Sequence, residues 1–177
     1  MLRAFDGTGT FSDRTPPAGA LGYAFGMPFS DAAKRCAAGG FTFRTADDGG
    51  FCSGSQTRQR FTAFLKNCGG HVCHVFLIAP VTGDDAAAVS EFRALESELA
   101  ENYGEPSFRE WSAPKQCRTN GALAECLRRK MVKLQAGWTW ESKHGILIAL
   151  DVLPDGRPAV NIAYNSPEGI RRSAEGL

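Results

Sequence analysis

Six cysteines standing as three close pairs constrain this chain more than any other feature. They are Cys36 and Cys52, Cys68 and Cys73, and Cys117 and Cys126. An even count with local spacing reads as a disulfide framework. The expected bonds are therefore Cys36–Cys52, Cys68–Cys73 and Cys117–Cys126, although spacing alone does not choose among the possible pairings. At 177 residues the chain is long enough to bury a core without cross-links. Oxidised cysteines would then be staples on a domain that already packs. Such bonds persist outside the cytosol and are reduced within it, so the expected location is extracytoplasmic, periplasmic or secreted. The start of the chain, Met1-Leu2-Arg3-Ala4-Phe5-Asp6, has no apolar run of leader length. Export therefore requires a leader that has been removed.

The balance of charge excludes some partners. Lys and Arg number 20 against 19 Asp and Glu, for a net charge of +1. No global field favours nucleic acid or an anionic membrane, and no stretch approaches a membrane span. The apolar fraction of 43% is that of an ordinary globular domain.

Residues 1–20 are rich in Gly, Thr, Ser and Pro and read as a flexible arm. A short helix is expected after Pro28, with Ser30 as N-cap, Asp31 in its first turn and Gly39-Gly40 at its end. Phe29, Ala33 and Cys36 would share its inward face. Phe41 to Arg44 alternates as a strand, Asp48-Gly49-Gly50 is a turn, and Phe51-Cys52 opens the returning strand. A Cys36–Cys52 bond would clip the helix to this hairpin. Arg58 to Phe64 fits strand or helix equally. His71 to Ala79 is β-branched and apolar enough for a central strand.

Asp84 to Tyr103 carries the clearest helical period, with Ala88, Phe92, Leu95, Leu99 and Tyr103 on one stripe. Asp84 and Asp85 sit at its positive end, and Gly104 and Pro106 stop it. Residues 106–126 hold the turn signal Asn120-Gly121, but Cys117 and Cys126 are not symmetric about it. An irregular excursion closed by Cys117–Cys126 is expected instead. Met131–Glu141, Ile146–Val152 and Pro158–Tyr164 read as a three-strand meander, and Asn165–Leu177 as a polar tail.

This order predicts an α+β fold. An antiparallel sheet carries two main helices on one face. The domain would span residues 21–164, and the halves at about 25–80 and 84–164 form a degenerate tandem of helix plus sheet. Phe25-Gly26-Met27-Pro28-Phe29-Ser30 before a short helix, with this element order, resembles small bacterial exported modules. Those are the β-lactamase-inhibitor-protein-like and outer-membrane-assembly-lipoprotein-like families. The resemblance implies a domain that acts by binding other proteins, and it carries over no functional residue.

Candidate chemistry is sparse. Cys68-Gly69-Gly70-His71-Val72-Cys73-His74 is the densest group of metal-ligand types. Cys68, His71, Cys73 and His74 would nominally fill a tetrahedral zinc site. The spacing Cys68 to Cys73-His74 is also an expanded form of a c-type haem attachment motif. Strand alternation would split these ligands between two faces, so a short disulfide across Gly69-Gly70 is the plainer reading, with no cofactor. A nucleophilic cysteine, Cys52 or Cys73 with His144, has no spacing to support it.

Trp138 and Trp140 fall on one strand face. Exposed, with Arg128 and Lys130 nearby in sequence, they would form a binding platform; facing the helices, they are core. Residues 84–105 are acidic, and residues 115–133 carry Lys115, Arg118, Arg128, Arg129, Lys130 and Lys133. The basic stretch is either a solvated face or a partner for the acidic helix. The leading functional reading is thus a non-catalytic, disulfide-stabilised domain that binds a protein or envelope partner. A metal- or haem-binding role for the Cys68–His74 segment is the alternative.

Overall fold

The computed structural model describes residues 11–54, 60–119 and 121–174. Outside them lie the first half of the expected arm, Arg58, Ser55, Asn120 and the last three residues of the expected tail. The fold is α+β. Its elements in order are β1 (Gly19–Ala20), β2 (Tyr23–Ala24), α1 (Phe29–Ala38), β3 (Thr42–Ala46), β4 (Gly49–Ser53), β5 (Thr62–Cys68) and β6 (His71–Pro80). There follow α2 (Asp85–Tyr103), β7 (Phe108–Ser112), a 3-10 turn at Lys115–Arg118, α3 (Leu123–Arg128), β8 (Lys133–Thr139), β9 (Gly145–Val152), β10 (Pro158–Asn165) and α4 (Pro167–Ala174).

Eight strands form one antiparallel sheet in the order β3-β4-β5-β6-β10-β9-β8-β7. The order is symmetric about its middle. Each half is a helix followed by a four-strand meander, α1 with β3–β6 and α2 with β7–β10, and the two last strands meet at the centre. Central strands pair along their length, from Ala159 opposite Pro80 to Asn165 opposite His74. Tight turns join β3 to β4, β5 to β6, β8 to β9 and β9 to β10, as antiparallel neighbours allow, while a longer excursion joins β7 to β8.

In an antiparallel ladder, directly opposite residues project to the same face and successive residues to opposite faces. Leu65, Val75, Tyr164 and Ile146 form one such inward row, and Ala63, Leu77, Ile162 and Ile148 the next. All are buried. α1 and α2 cover this face. α2 buries Ala88, Phe92, Leu95 and Leu99, the expected stripe, with Asp84 as N-cap accepting from Ala87 N at 2.9 Å. α1 buries Ala32 and Cys36. Its N-cap is Pro28 rather than Ser30, because Phe29 N donates to Gly70 O and fixes the helix entry against the sheet.

All three expected disulfides form, with Cα–Cα separations of 5.8, 5.8 and 5.9 Å. Cys36–Cys52 ties α1 to β4. Cys117–Cys126 closes the excursion between β7 and β8, where the 3-10 turn and α3 sit.

Two terminal expectations differ from the structure. Residues 11–20 are laid onto the domain rather than loose: Ser12 N donates to Thr139 O at 2.8 Å, and Trp140 Nε1 donates to Arg14 O at 2.7 Å. The end of the chain forms α4. Ser166 caps it by accepting from Gly169 N at 3.1 Å, and Pro167 occupies the first helical position, where its missing N–H costs nothing. That Ser-Pro-Glu start is a helix signal in the sequence that a polar composition conceals. β7 is likewise an element that sequence periodicity does not reveal.

Candidate functional site

Of the two readings of Trp138 and Trp140, platform or core, the structure takes the core one. Trp138 is 0% and Trp140 4% exposed, so both belong to the core under α2. Each indole N–H is satisfied internally: Trp138 donates to Gly104 O and Trp140 to Arg14 O, both at 2.7 Å, and Tyr103 packs edge-on to Trp140 with ring centroids 5.8 Å apart. The register places Trp138 opposite Ile146 at the start of β9, whereas Arg128 approaches Gly156 beyond the end of β9. The strand between them spans about 20 Å. Arg128 and Arg129 pair with Glu125 of their own helix, and Lys130 is exposed. The acidic helix finds other partners: Arg60 binds Glu91 and Glu98, and Arg109 binds Glu96 and Glu105.

The metal and haem readings fail on the same residues. Cys68 and Cys73 are consumed in their mutual bond. His71 is exposed, while His74 is half-buried on the outward phase of β6 beside Phe76, where burial and then the Lys66 charge push its pKa down to about 4. Among the described residues no group of three or more His, Cys, Asp or Glu is placed to hold a metal ion. Cys52 and Cys73 are both disulfide-bonded, so neither is a nucleophile for His144. His144 instead bonds Ser142 across its own turn, Oγ to Nδ1 2.9 Å.

What the fold does build is an open sheet face. The residues alternating with the core rows project away from α1 and α2. Across the whole sheet they align into one row: Arg44, Phe51, Phe64, Phe76, Ala163, Leu147, Gly137 and Phe108, each opposite the next. Phe51 is 39% exposed and stacks on Phe64 with ring centroids 4.8 Å apart. Phe108 packs against Gly137, where any Cβ would strike its ring. A second row holds Thr62, Ile78, Asn161, Ala149, Gln135 and Glu110. Gln135 Nε2 donates to Glu110 at 2.7 Å, and Lys133 pairs with Glu110 at 2.9 Å, which gives this edge a polar rim. At the centre, Asn161 Oδ1 is shielded from solvent and accepts no hydrogen bond among the described residues.

One end of this face is covered. Ile170 of α4 lies 3.6 Å from where a Gly145 Cβ would project. Ser166 N and Oγ both donate to Cys73 O, at 3.1 and 2.8 Å. α4 thus clamps the Cys68–Cys73 corner, while Phe51, Phe64 and Phe76 lie on the part of this face nearer β4.

The outward aromatics are legible in principle as the second phase of each strand's alternation. Phe51, Phe64 and Phe76 fall on three separate strands, so no single segment exposes them as a set. A water-facing side of an antiparallel sheet is ordinarily polar, and contiguous exposed apolar patches mark interaction sites. The fold and this face together define an α+β domain with one helix-covered and one largely open sheet face. Comparison of the chain with family models, with curated proteins and with solved structures found no match.

Proposed function

We propose that this chain is a non-catalytic, disulfide-stabilised domain that works outside the cytosol and binds a protein partner on its open sheet face. The carrying observation is the register-aligned apolar row from Phe51 to Phe108, on the face that α1 and α2 leave uncovered. Aromatic side chains supply large contact area at small entropic cost, and they dominate the energetics of protein interfaces. A rigid sheet positions them without ordering on binding. Glu110, Lys133 and Gln135 give this centre a polar rim along the β7–β8 edge, as the rims of protein interfaces are polar. Kinship with the exported binding modules named above is part of this proposal. It draws on the repeated order of one helix and then antiparallel strands.

A photo-crosslinking residue at position 76 tests it, with one at Glu101 on the solvent side of α2 as control. With the envelope and secreted fractions of the source cell, position 76 should give a discrete protein adduct that Glu101 does not. Unlabelled wild-type chain should compete for it, and folded Phe64→Lys chain should not. Equal labelling from both positions, or competition by Phe64→Lys, would refute the reading.

A further inference from the structure

The helix-covered face has a concave region of its own, separate from the open face. Between the β1–β2 ribbon and α2 lies a cavity of about 510 Å³. This volume lies in the range of small-molecule sites. Its floor is the junction of the two halves, Leu77 of β6 and Ile162 and Tyr164 of β10. Its wall is Leu95, Leu99 and Tyr103 of α2. The cavity exists because α1 and α2 each cover one half of the sheet, and only a two-residue-per-strand ribbon bridges the centre.

Three observations define what fits. The surroundings are mostly apolar, and of the lining residues only Glu98 is charged. That carboxylate is already bound by Arg60 Nη1 at 3.0 Å, so it offers no unpaired charge. Tyr164 is only 8% exposed and lines the cavity, and no hydrogen bond among the described residues engages its hydroxyl. Burial raises its pKa, which keeps the phenol neutral and able to donate. At the mouth, Leu21 is 54% exposed and sits at φ 49°, in the left-handed region that costs a branched residue about 1–2 kcal/mol. The turn thus presents an apolar side chain at the opening, in a conformation glycine would hold without strain. Strained positions of this kind gather at ligand clamps.

We propose that this cavity binds an uncharged, mostly apolar small molecule whose hydrogen-bond acceptor takes the Tyr164 hydroxyl, with the β1–β2 ribbon and Leu21 closing over it. The probe is the uncharged naphthyl ketone dye Prodan, which has an apolar bicycle and one carbonyl acceptor. Titration into the full chain should give saturable, one-to-one binding with a blue-shifted emission. Tyr164→Phe keeps the ring and removes the donor, and should weaken binding about fivefold, the worth of one buried hydrogen bond. Ala20→Trp fills the cavity from the ribbon and should abolish binding. Asn102→Trp fills it from the exposed side of α2 and replaces Ala20→Trp if that variant unfolds. Phe64→Lys, on the opposite face of the sheet, should leave dye binding unchanged. Absence of saturable binding would overturn the proposal. So would binding that survives both filling variants. Binding lost in Phe64→Lys and kept in Ala20→Trp would place the dye on the open face, overturning the cavity site and leaving the protein-binding reading intact.

Discussion

Removing the Cys36–Cys52 bond by Cys36→Ala with Cys52→Ala should lower stability by about 4 kcal/mol. Two contributions add. The bond closes a loop of sequence separation 16. Loop-closure entropy for that length amounts to about 3 kcal/mol near room temperature. Tyr23 OH also donates to Cys52 Sγ at 3.2 Å in a buried setting, and losing that acceptor leaves a desolvated hydroxyl, for about 1 kcal/mol more. For a domain of this size, each kcal/mol shifts Tm by about 2–4 °C, so the double variant should melt about 8–16 °C lower. Denaturant unfolding at equilibrium, with calorimetry alongside, measures both quantities. Amide exchange should rise first in α1, which this bond holds to β4. Tyr23→Phe in the wild-type background should cost only the smaller share. A double variant within about 1 kcal/mol of wild type would refute the reasoning, because the bond would then be closing a loop that the unfolded chain already keeps closed.

Other outcomes follow from single positions. Leu65→Ala should cost about 2–5 kcal/mol, because Leu65 is 0% exposed in the core row. Its neighbour Phe64→Ala, on the open face, should cost about 1 kcal/mol, from its contact with Phe51; equal losses in chemical denaturation would contradict the face assignment. Ser166→Ala removes the α4 cap and one bond to Cys73 O. It should destabilise α4 by about 1–2 kcal/mol, read as faster amide exchange confined to residues 167–174. His74 is held neutral with a folded pKa of about 4 against the ordinary value of 6.5. The unfolded chain therefore binds the extra proton first. His74 stability is fully present above pH 6.5 and falls as pH drops toward 4, by up to about 3 kcal/mol. His74→Gln should flatten the Tm–pH profile in that window, and an unchanged profile would count against a buried neutral imidazole.

Local chemistry made much of this protein legible in its sequence. The three disulfides join the nearest neighbours in sequence, the pairing that local spacing favoured without excluding the others. The α2 stripe follows from a period that one segment carries within itself, and Asp84 and Gly104 mark its ends by short-range hydrogen bonding. The meander of β8, β9 and β10 follows from turn residues. Trp138 and Trp140 show where such reasoning stops. A strand's period of two separates its residues into two faces without saying which one water touches. That choice is made by where α2 lands, and its C-terminal end lands over Trp138.

The sequence alone determined the α+β class, the staples and the principal helices, because each rests on interactions within a few residues. Tertiary structure alone decided the open face and the cavity. The row from Phe51 to Phe108 takes one residue from nearly every strand, and it becomes continuous only when β6 and β10 pair at the centre. The cavity exists only because two helices cover two halves and leave the seam to a short ribbon. Both depend on contacts between residues far apart in the chain, where no local pattern records the register.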